Sequence, residues 1–253
     1  MNSFEPSSTL KHLYPEAEVG GYTRYDGFVE FYSRVNALLT PESRVLDFGA
    51  GRGQWADEDA LPPYSQHLRA FHERVAFVAG TDVDPVVMTN PTLAEAHTVA
   101  PGEKQPFADE SFDLVLADHV IEHVQEEDAQ GVADEVMRLL KPGGWFAART
   151  PNKWGVIGMG ARAVPNSMHT TVLHKLQPNR HDHDVFPVAY SMNTRKDLKR
   201  LFQPPHLLRV YGHASEPRYF GNSVPAWRVA GFIDRLTPPR MAPTLMIFVR
   251  KGV

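Results

Sequence analysis

The sequence predicts an α/β fold: a doubly wound, mostly parallel sheet of seven strands with an α-helical lid or insertion after the fifth. Two observations carry that prediction. Short apolar runs alternate with amphipathic helical stretches from residue 28 to residue 150, the rhythm of a parallel sheet covered on both faces. The first apolar run also opens into a glycine-rich loop, a feature found at the carboxyl end of the first strand in such sheets.

The elements follow in order. In "GFVEFYSRVNALL", Phe28, Phe31, Tyr32, Val35, Leu38 and Leu39 recur at helical spacing, and Thr40-Pro41 closes the helix. "RVLDF" at 44–48 reads as a buried strand. Pro62-Pro63 interrupts the chain before "YSQHLRAFHERV", where Leu68, Phe71 and Val75 predict a second helix. "AFVAGTD" is the second strand, "AHTV" a weaker third and "FDLVLAD" the fourth. "QEEDAQGVADEVMRLL" predicts an acid-started helix whose apolar face is Ala129, Val132, Ala133, Val136, Leu139 and Leu140. Lys141-Pro142-Gly143-Gly144 stops it, and "WFAART" is the fifth strand. Residues 151–192 are rich in His, Asn, Pro and Gly, with two short helical candidates; the stretch is too long for an ordinary connection and reads as a substrate lid or insertion. "NTRKDLKRLF" is a capped helix, and "LLRVYG" and "TLMIFVR" are the last strands, with a Trp- and Pro-containing segment between them. Residues 1–26 read as an N-terminal arm or flap, and residues 27–253 as one domain.

The composition excludes several classes. The 253 residues are 42% hydrophobic and 22% charged, with a net charge of -4 and no block of like charges, which argues against a nucleic-acid partner. There is no cysteine, so a disulfide scaffold, a thiolate metal site and a cysteine nucleophile are excluded. No apolar run approaches the ~18 residues of a membrane span and no signal-peptide core is present. The expectation is a cytoplasmic protein without a membrane partner.

The loop "VLDFGAGRGQW", 45–55, spaces its glycines G-x-G-x-G: Gly49, Gly51 and Gly53. This is neither the G-x-G-x-x-G of dinucleotide binding nor a P-loop, since no Gly-Lys-Ser/Thr follows. Asp47 precedes the loop. A carboxylate there repels a pyrophosphate and attracts an ammonium or sulfonium.

At these residues the chain resembles the class I S-adenosylmethionine-dependent methyltransferases, in their small-molecule branch. "VLDFGAGRG" resembles the first motif of that family and "GTDVDP" the second. "PFADESFDLVLADHVIEHV" resembles the stretch through strand four, and "VMRLLKPGGWFAARTPN" the helix and strand-five motif. The likeness covers residues 28–152. It implies S-adenosyl-L-methionine as cofactor. Asp47 would lie by its methionine end, with Gly49, Gly51 and Gly53 packed around it. Asp82 would hold the ribose, with Val83 beside it and Asp84 as a competitor for the role. The backbone of Asp118 would meet the cofactor's amino group, and Phe107 would shape the adenine side. One departure stands out. Where the family commonly has an acid for the adenine amino group, this chain has Pro101 and Gly102. Either Glu103 substitutes, or the adenine is read by backbone alone.

Methyl transfer to a hydroxyl requires a base, a task suited to histidine. His119 and His123 lie in "DHVIEHV", on one face if the segment is helical. His119 is the candidate base, and His123 is read as structural. In "NRHDHDVFP", His183 and Asp184 are further catalytic candidates, beside His181 and Asp182. No metal is expected, because consecutive residues cannot all converge on one ion. The expected acceptor is a small molecule, a hydroxyl of a sugar or secondary metabolite. The Asn/Asp-Pro-Pro-Tyr/Phe signature of nucleic-acid amino-methyltransferases is replaced by "ADHVI". Two rival readings remain: a non-catalytic S-adenosylmethionine-binding protein, and an NAD-dependent oxidoreductase. The glycine spacing and Asp47 count against the second. The oligomeric state stays open.

Overall fold

Side chains alternate across seven strands and divide the core into two layers, one on each face of a single sheet. The computed structural model describes residues 4–57, 60–155, 189–217 and 220–253. The strands are β1 (Arg44–Phe48), β2 (Phe77–Asp82), β3 (Glu95–Thr98), β4 (Phe112–Asp118), β5 (Leu140–Pro151), β6 (Leu207–His213) and β7 (Thr244–Arg250). Their order is β3-β2-β1-β4-β5-β7-β6, with β7 antiparallel to both neighbours and the other pairs parallel.

Leu46, Val115, Ala117, Phe146, Ala148, Ile247 and Val249 face one layer. Their strand neighbours Val45, Leu114, Leu116, Ala147, Met246 and Phe248 face the other. Burial on both faces explains why these strands read as continuous apolar runs. The first layer is covered by α4 (Ala129–Leu139) and α5 (Arg195–Leu201). The second is covered by α2 (Gly27–Asn36) and α3 (Pro63–Arg69). In α2, Asp26 Oδ1 accepts hydrogen bonds from the Phe28 and Val29 amides at 2.9 and 3.1 Å, a side-chain N-cap that sets the helix start. Buried Phe31, Tyr32 and Val35 then lie on one face.

Several boundaries differ from the sequence expectation. The helix expected from Gln125 begins only at Ala129. The second helix stops at Arg69, and Phe71–Glu73 continues as a 3-10 turn. Lys141-Pro142-Gly143-Gly144 does not separate helix from strand: β5 starts at Leu140, and these residues lie inside it. A register shift opposite Phe112/Leu114 and a positive φ of 79° at Gly143 absorb the extra length as a bulge. His119 and His123 share no helix. His119 has a φ of 60°, and only Ile121–His123 forms a 3-10 turn.

Residues 4–26 carry a short helix, α1 (Ser8–Leu13). Leu10 and Ala17 from this stretch form a small separate core with Trp227 of α6 (Val224–Leu236). Thr23 donates a hydrogen bond to Glu216, tying the same two regions. Of the expected lid, only residues 151–155 and 189–192 are described. His183 and Asp184, with His181, Asp182 and the two short helical candidates, lie outside the described residues. Among the described residues no helix is long and apolar enough to cross a membrane.

Candidate active site

Strand order reverses between β1 and β4, which makes the crevice at their carboxyl ends the natural ligand seat of this topology. Asp47 and Leu116 are register partners there, so Asp47 and the end of β4 face the same crevice. The glycine loop leaves β1 at this point. Gly49 has a φ of 80°, and a Cβ on it would collide with Val120, just past β4. Gly51, with a φ of 55°, differs: a Cβ there would meet nothing within 4 Å. Its open side is not filled by protein. Gly53 packs on Asn90, whose amide nitrogen donates to the carbonyls of Ala50 and Gly51 at 3.3 and 3.0 Å. Gly49→Ala, which adds a clash with Val120 to the strain of its positive φ, should therefore destabilise the fold more than Gly51→Ala, which adds that strain alone and should also weaken ligand binding. Thermal melts with and without ligand separate the two; equal melting losses in both variants would contradict this division of roles.

Asp82 closes the other side of the loop. Its Oδ2 accepts from the Gly51 amide and its Oδ1 from the Asp84 amide, each at 2.9 Å. A carboxylate has about four lone-pair positions, so acceptor capacity remains on both oxygens for a vicinal diol. Asp84 is otherwise employed, since its Oδ1 accepts from the Val86 amide and caps the following turn. Val83 is 45% exposed beside it. Phe107 packs edge-on against His97 and Phe112. Gly102, with a φ of 77°, is exposed in the loop after β3.

A buried charge cluster fills the floor of the crevice. Asp118 is held bidentately by Arg149, at 2.7 Å to Nε and 2.9 Å to Nη2. The Tyr32 hydroxyl donates to the same carboxylate at 3.0 Å. Burial alone would raise the Asp118 carboxyl, but Arg149 beside it holds it well below the usual carboxylate range. Arg69, from the end of α3, stands 3.7 Å from Asp47 and 4.0 Å from Asp118, with its guanidinium over the rings of Tyr32 and Trp55. Burial pushes the Asp47 carboxyl up, and Arg69 opposes that shift. Among the described residues, Arg69 Nε and Trp55 Nε1 are buried without a hydrogen-bond partner. Two acids and two arginines balance the cluster, leaving one guanidinium nitrogen unused.

His119 stands at the rim with its side chain 47% exposed. Its Nδ1 is 3.1 Å from Glu122 Oε1. Glu122 is buried, and its Oε2 accepts from the Thr150 hydroxyl at 2.9 Å. Asn193 in turn donates to that hydroxyl. The Glu122 carbonyl accepts from the amides of Ala189 and Tyr190, anchoring the chain where it returns. Glu122 and Arg69 were not singled out from the sequence as site residues. Glu122 is a charged residue at a buried position and Arg69 one held largely out of solvent, the one signal that marks them. Among the described residues no group of three His, Asp or Glu is placed to hold a metal ion.

These residues fit S-adenosylmethionine. The open cradle at Gly51, the free acceptor capacity of Asp82 and the unused Arg69 nitrogen match a nucleoside joined to an amino acid. Comparison with known proteins agrees. Residues 46–148 match the methyltransferase domain family. An uncharacterized methyltransferase of Mycobacterium sp. (strain JLS) is 35% identical over 109 residues, 42% of this chain and 38% of that protein. The matched stretch thus spans well under half the length of that curated relative. A solved S-adenosylmethionine-dependent methyltransferase from Methanosarcina mazei aligns over 87% of this chain and 97% of its own, at 15% identity and a TM-score of 0.51. One from Archaeoglobus fulgidus aligns over 93% and 97%, at 16% identity and a TM-score of 0.50. At such identities the structures speak to the fold alone. Over residues 46–148 this chain is thus similar to the methyltransferase domain family, on a fold it shares with solved S-adenosylmethionine-dependent methyltransferases.

Proposed function

We propose that this protein is an S-adenosylmethionine-dependent methyltransferase acting on a hydroxyl of a small-molecule acceptor, such as a sugar or secondary metabolite. The observation that carries this reading is the His119–Glu122 pair at the rim of the cofactor crevice. S-adenosylmethionine, when bound, supplies an electrophilic methyl group on a positively charged sulfur. Asp82 holds the ribose hydroxyls, and Gly51 leaves room for the ligand at the loop. Arg69 offers its unused Nε–H to a carboxylate, and Asp47 supplies negative charge near the methionine end. Glu122 accepts a hydrogen bond from His119 Nδ1–H, which holds the tautomer that leaves Nε2 as the base. Nε2 lies 4.0 Å from Asp118 Oδ1, so a proton taken from the acceptor arrives near a carboxylate.

The test uses radiolabelled methyl donor and a panel of sugar and phenolic acceptors. With an acceptor in hand, His119→Ala should lower kcat by about 10²-fold or more while leaving cofactor affinity unchanged. Glu122→Gln should lower kcat with little change in KM, since it acts through His119. Full turnover in His119→Ala would move the base elsewhere. The absence of turnover with every acceptor, with cofactor binding intact, would favour the non-catalytic binding protein. His183 and Asp184 stay candidate catalytic residues on this reading, to be tested by His183→Ala in the same assay.

A further inference from the structure

Helix α6 wears its apolar face on the outside. Trp227 is its one buried residue and turns inward onto Tyr14. Val229, Phe232, Ile233 and Leu236 follow at i, i+3, i+4 and i+7, a single stripe along the opposite face. They are 60%, 62%, 45% and 68% exposed. Soluble surfaces carry scattered apolar residues, but a continuous stripe of four on one helix marks a contact surface.

The charge beside the stripe indicates what covers it. Arg228 and Arg235, seven residues apart, lie along one edge of it, and Arg240 follows the helix; all three are exposed. Asp234, the one acid of the helix, is turned toward the body, where burial pushes its carboxyl up. The outward surface of α6 is therefore apolar with a cationic border, although the chain as a whole carries a net charge of -4. A second copy of the chain fits this surface poorly. A 13-residue helix offers a footprint of roughly 20 by 10 Å, short of the roughly 1,200 Å² that stable interfaces bury. A two-fold antiparallel contact would also bring each arginine edge against its own copy. An anionic lipid surface meets both features at once: acyl chains take Phe232 and its neighbours, and headgroup phosphates take the arginines.

The position of α6 gives this surface a consequence. β6 ends at His213 and β7 begins at Thr244, register partners at the carboxyl edge of the sheet. The connection that carries α6 thus leaves and returns at the edge where the cofactor crevice opens. We propose that α6 docks the protein on an anionic membrane surface, lying in the interface, so that the acceptor is an amphipathic molecule presented from the lipid. The docking stands by itself, whereas the statement about the acceptor rests on the methyltransferase reading above. This departs from the expectation of no membrane partner, which was drawn from span length; a helix lying in the interface needs no ~18-residue apolar run.

Co-sedimentation of the full chain with vesicles of phosphatidylcholine alone, and with added phosphatidylglycerol, tests the docking. The expected result is binding to the anionic vesicles that weakens in high salt. Phe232→Asp and Leu236→Asp should each reduce it about tenfold, and Arg228→Gln and Arg235→Gln by about fivefold per charge. All four residues are exposed, so the variants keep the fold, as circular dichroism would verify. Absence of binding by the wild type would overturn the proposal, as would undiminished binding by Phe232→Asp. A dimer in light scattering that Phe232→Asp dissociates, without vesicle binding, would assign the stripe to a second copy instead. S-adenosylhomocysteine affinity measured on the same samples keeps the two readings apart. Its loss with vesicle binding intact defeats the methyltransferase reading, and the reverse defeats the docking.

Discussion

Arg149→Met should destabilise the protein by about 3–5 kcal/mol, because it strands the Asp118 carboxylate in the floor of the crevice. Asp118 would keep the Tyr32 hydroxyl at 3.0 Å and a guanidinium 4.0 Å away at Arg69, and would lose both of its short charged hydrogen bonds. For a chain of this length the loss corresponds to a fall in Tm on the order of 10 °C. Lys141→Met is the control. Its pair with Asp113 is over a third exposed on both sides, so its loss should cost about 1 kcal/mol or less. Urea titration of the three proteins checks the contrast, and equal stabilities would show that the buried pair is offset by its own desolvation.

The same cluster has a pH signature. Asp118 is depressed in the folded state, so its stabilisation is present above the unfolded aspartate value of about 3.9 and is lost as pH falls below it. Wild-type stability should therefore decline through the acid range. In Arg149→Met that decline should flatten, because burial then raises the Asp118 carboxyl instead. A parallel decline in both proteins would place the acid sensitivity in other carboxylates.

Asp82→Ala should weaken S-adenosylhomocysteine binding by about 100-fold or more, the loss of two hydrogen bonds to a charged acceptor. The fold should survive, since the side chain tethers only the Gly51 and Asp84 amides. Calorimetry on the variant and wild type, with NAD as a second ligand, checks both parts. Unchanged affinity would move the ribose contact away from Asp82. Tight NAD binding by the wild type, with none of the homocysteine product, would revive the oxidoreductase reading.

Much of the proposed cofactor half of the site is legible in the chain because it is local. The glycine spacing, Asp47 before it and Asp82 at the end of the second strand each sit within a few residues of a strand whose apolar run announces it. The charge cluster is not legible in the same way. Tyr32, Arg69, Asp118 and Arg149 come from two helices and two strands, with Tyr32 and Asp118 86 positions apart. A buried polar residue leaves no period in a sequence; it shows only as a flaw in an apolar face. Hence Arg69 hides in a helix recognised by Leu68 and Phe71. Glu122 hides in a motif read for its histidine, although it is Glu122 that links His119, Thr150 and the chain returning at Ala189.

The sequence by itself determined the layered α/β architecture, the methyl-donor motifs and the order of the strands' contents, because period and turn chemistry act over short stretches of chain. Only the tertiary structure decided how the buried charges pair and which histidine gains a carboxylate partner. It also decided that Val229, Phe232, Ile233 and Leu236 face outward. An amphipathic helix states that it has an apolar face. Which face meets the body is settled by packing, here by Trp227 turning inward onto the N-terminal stretch.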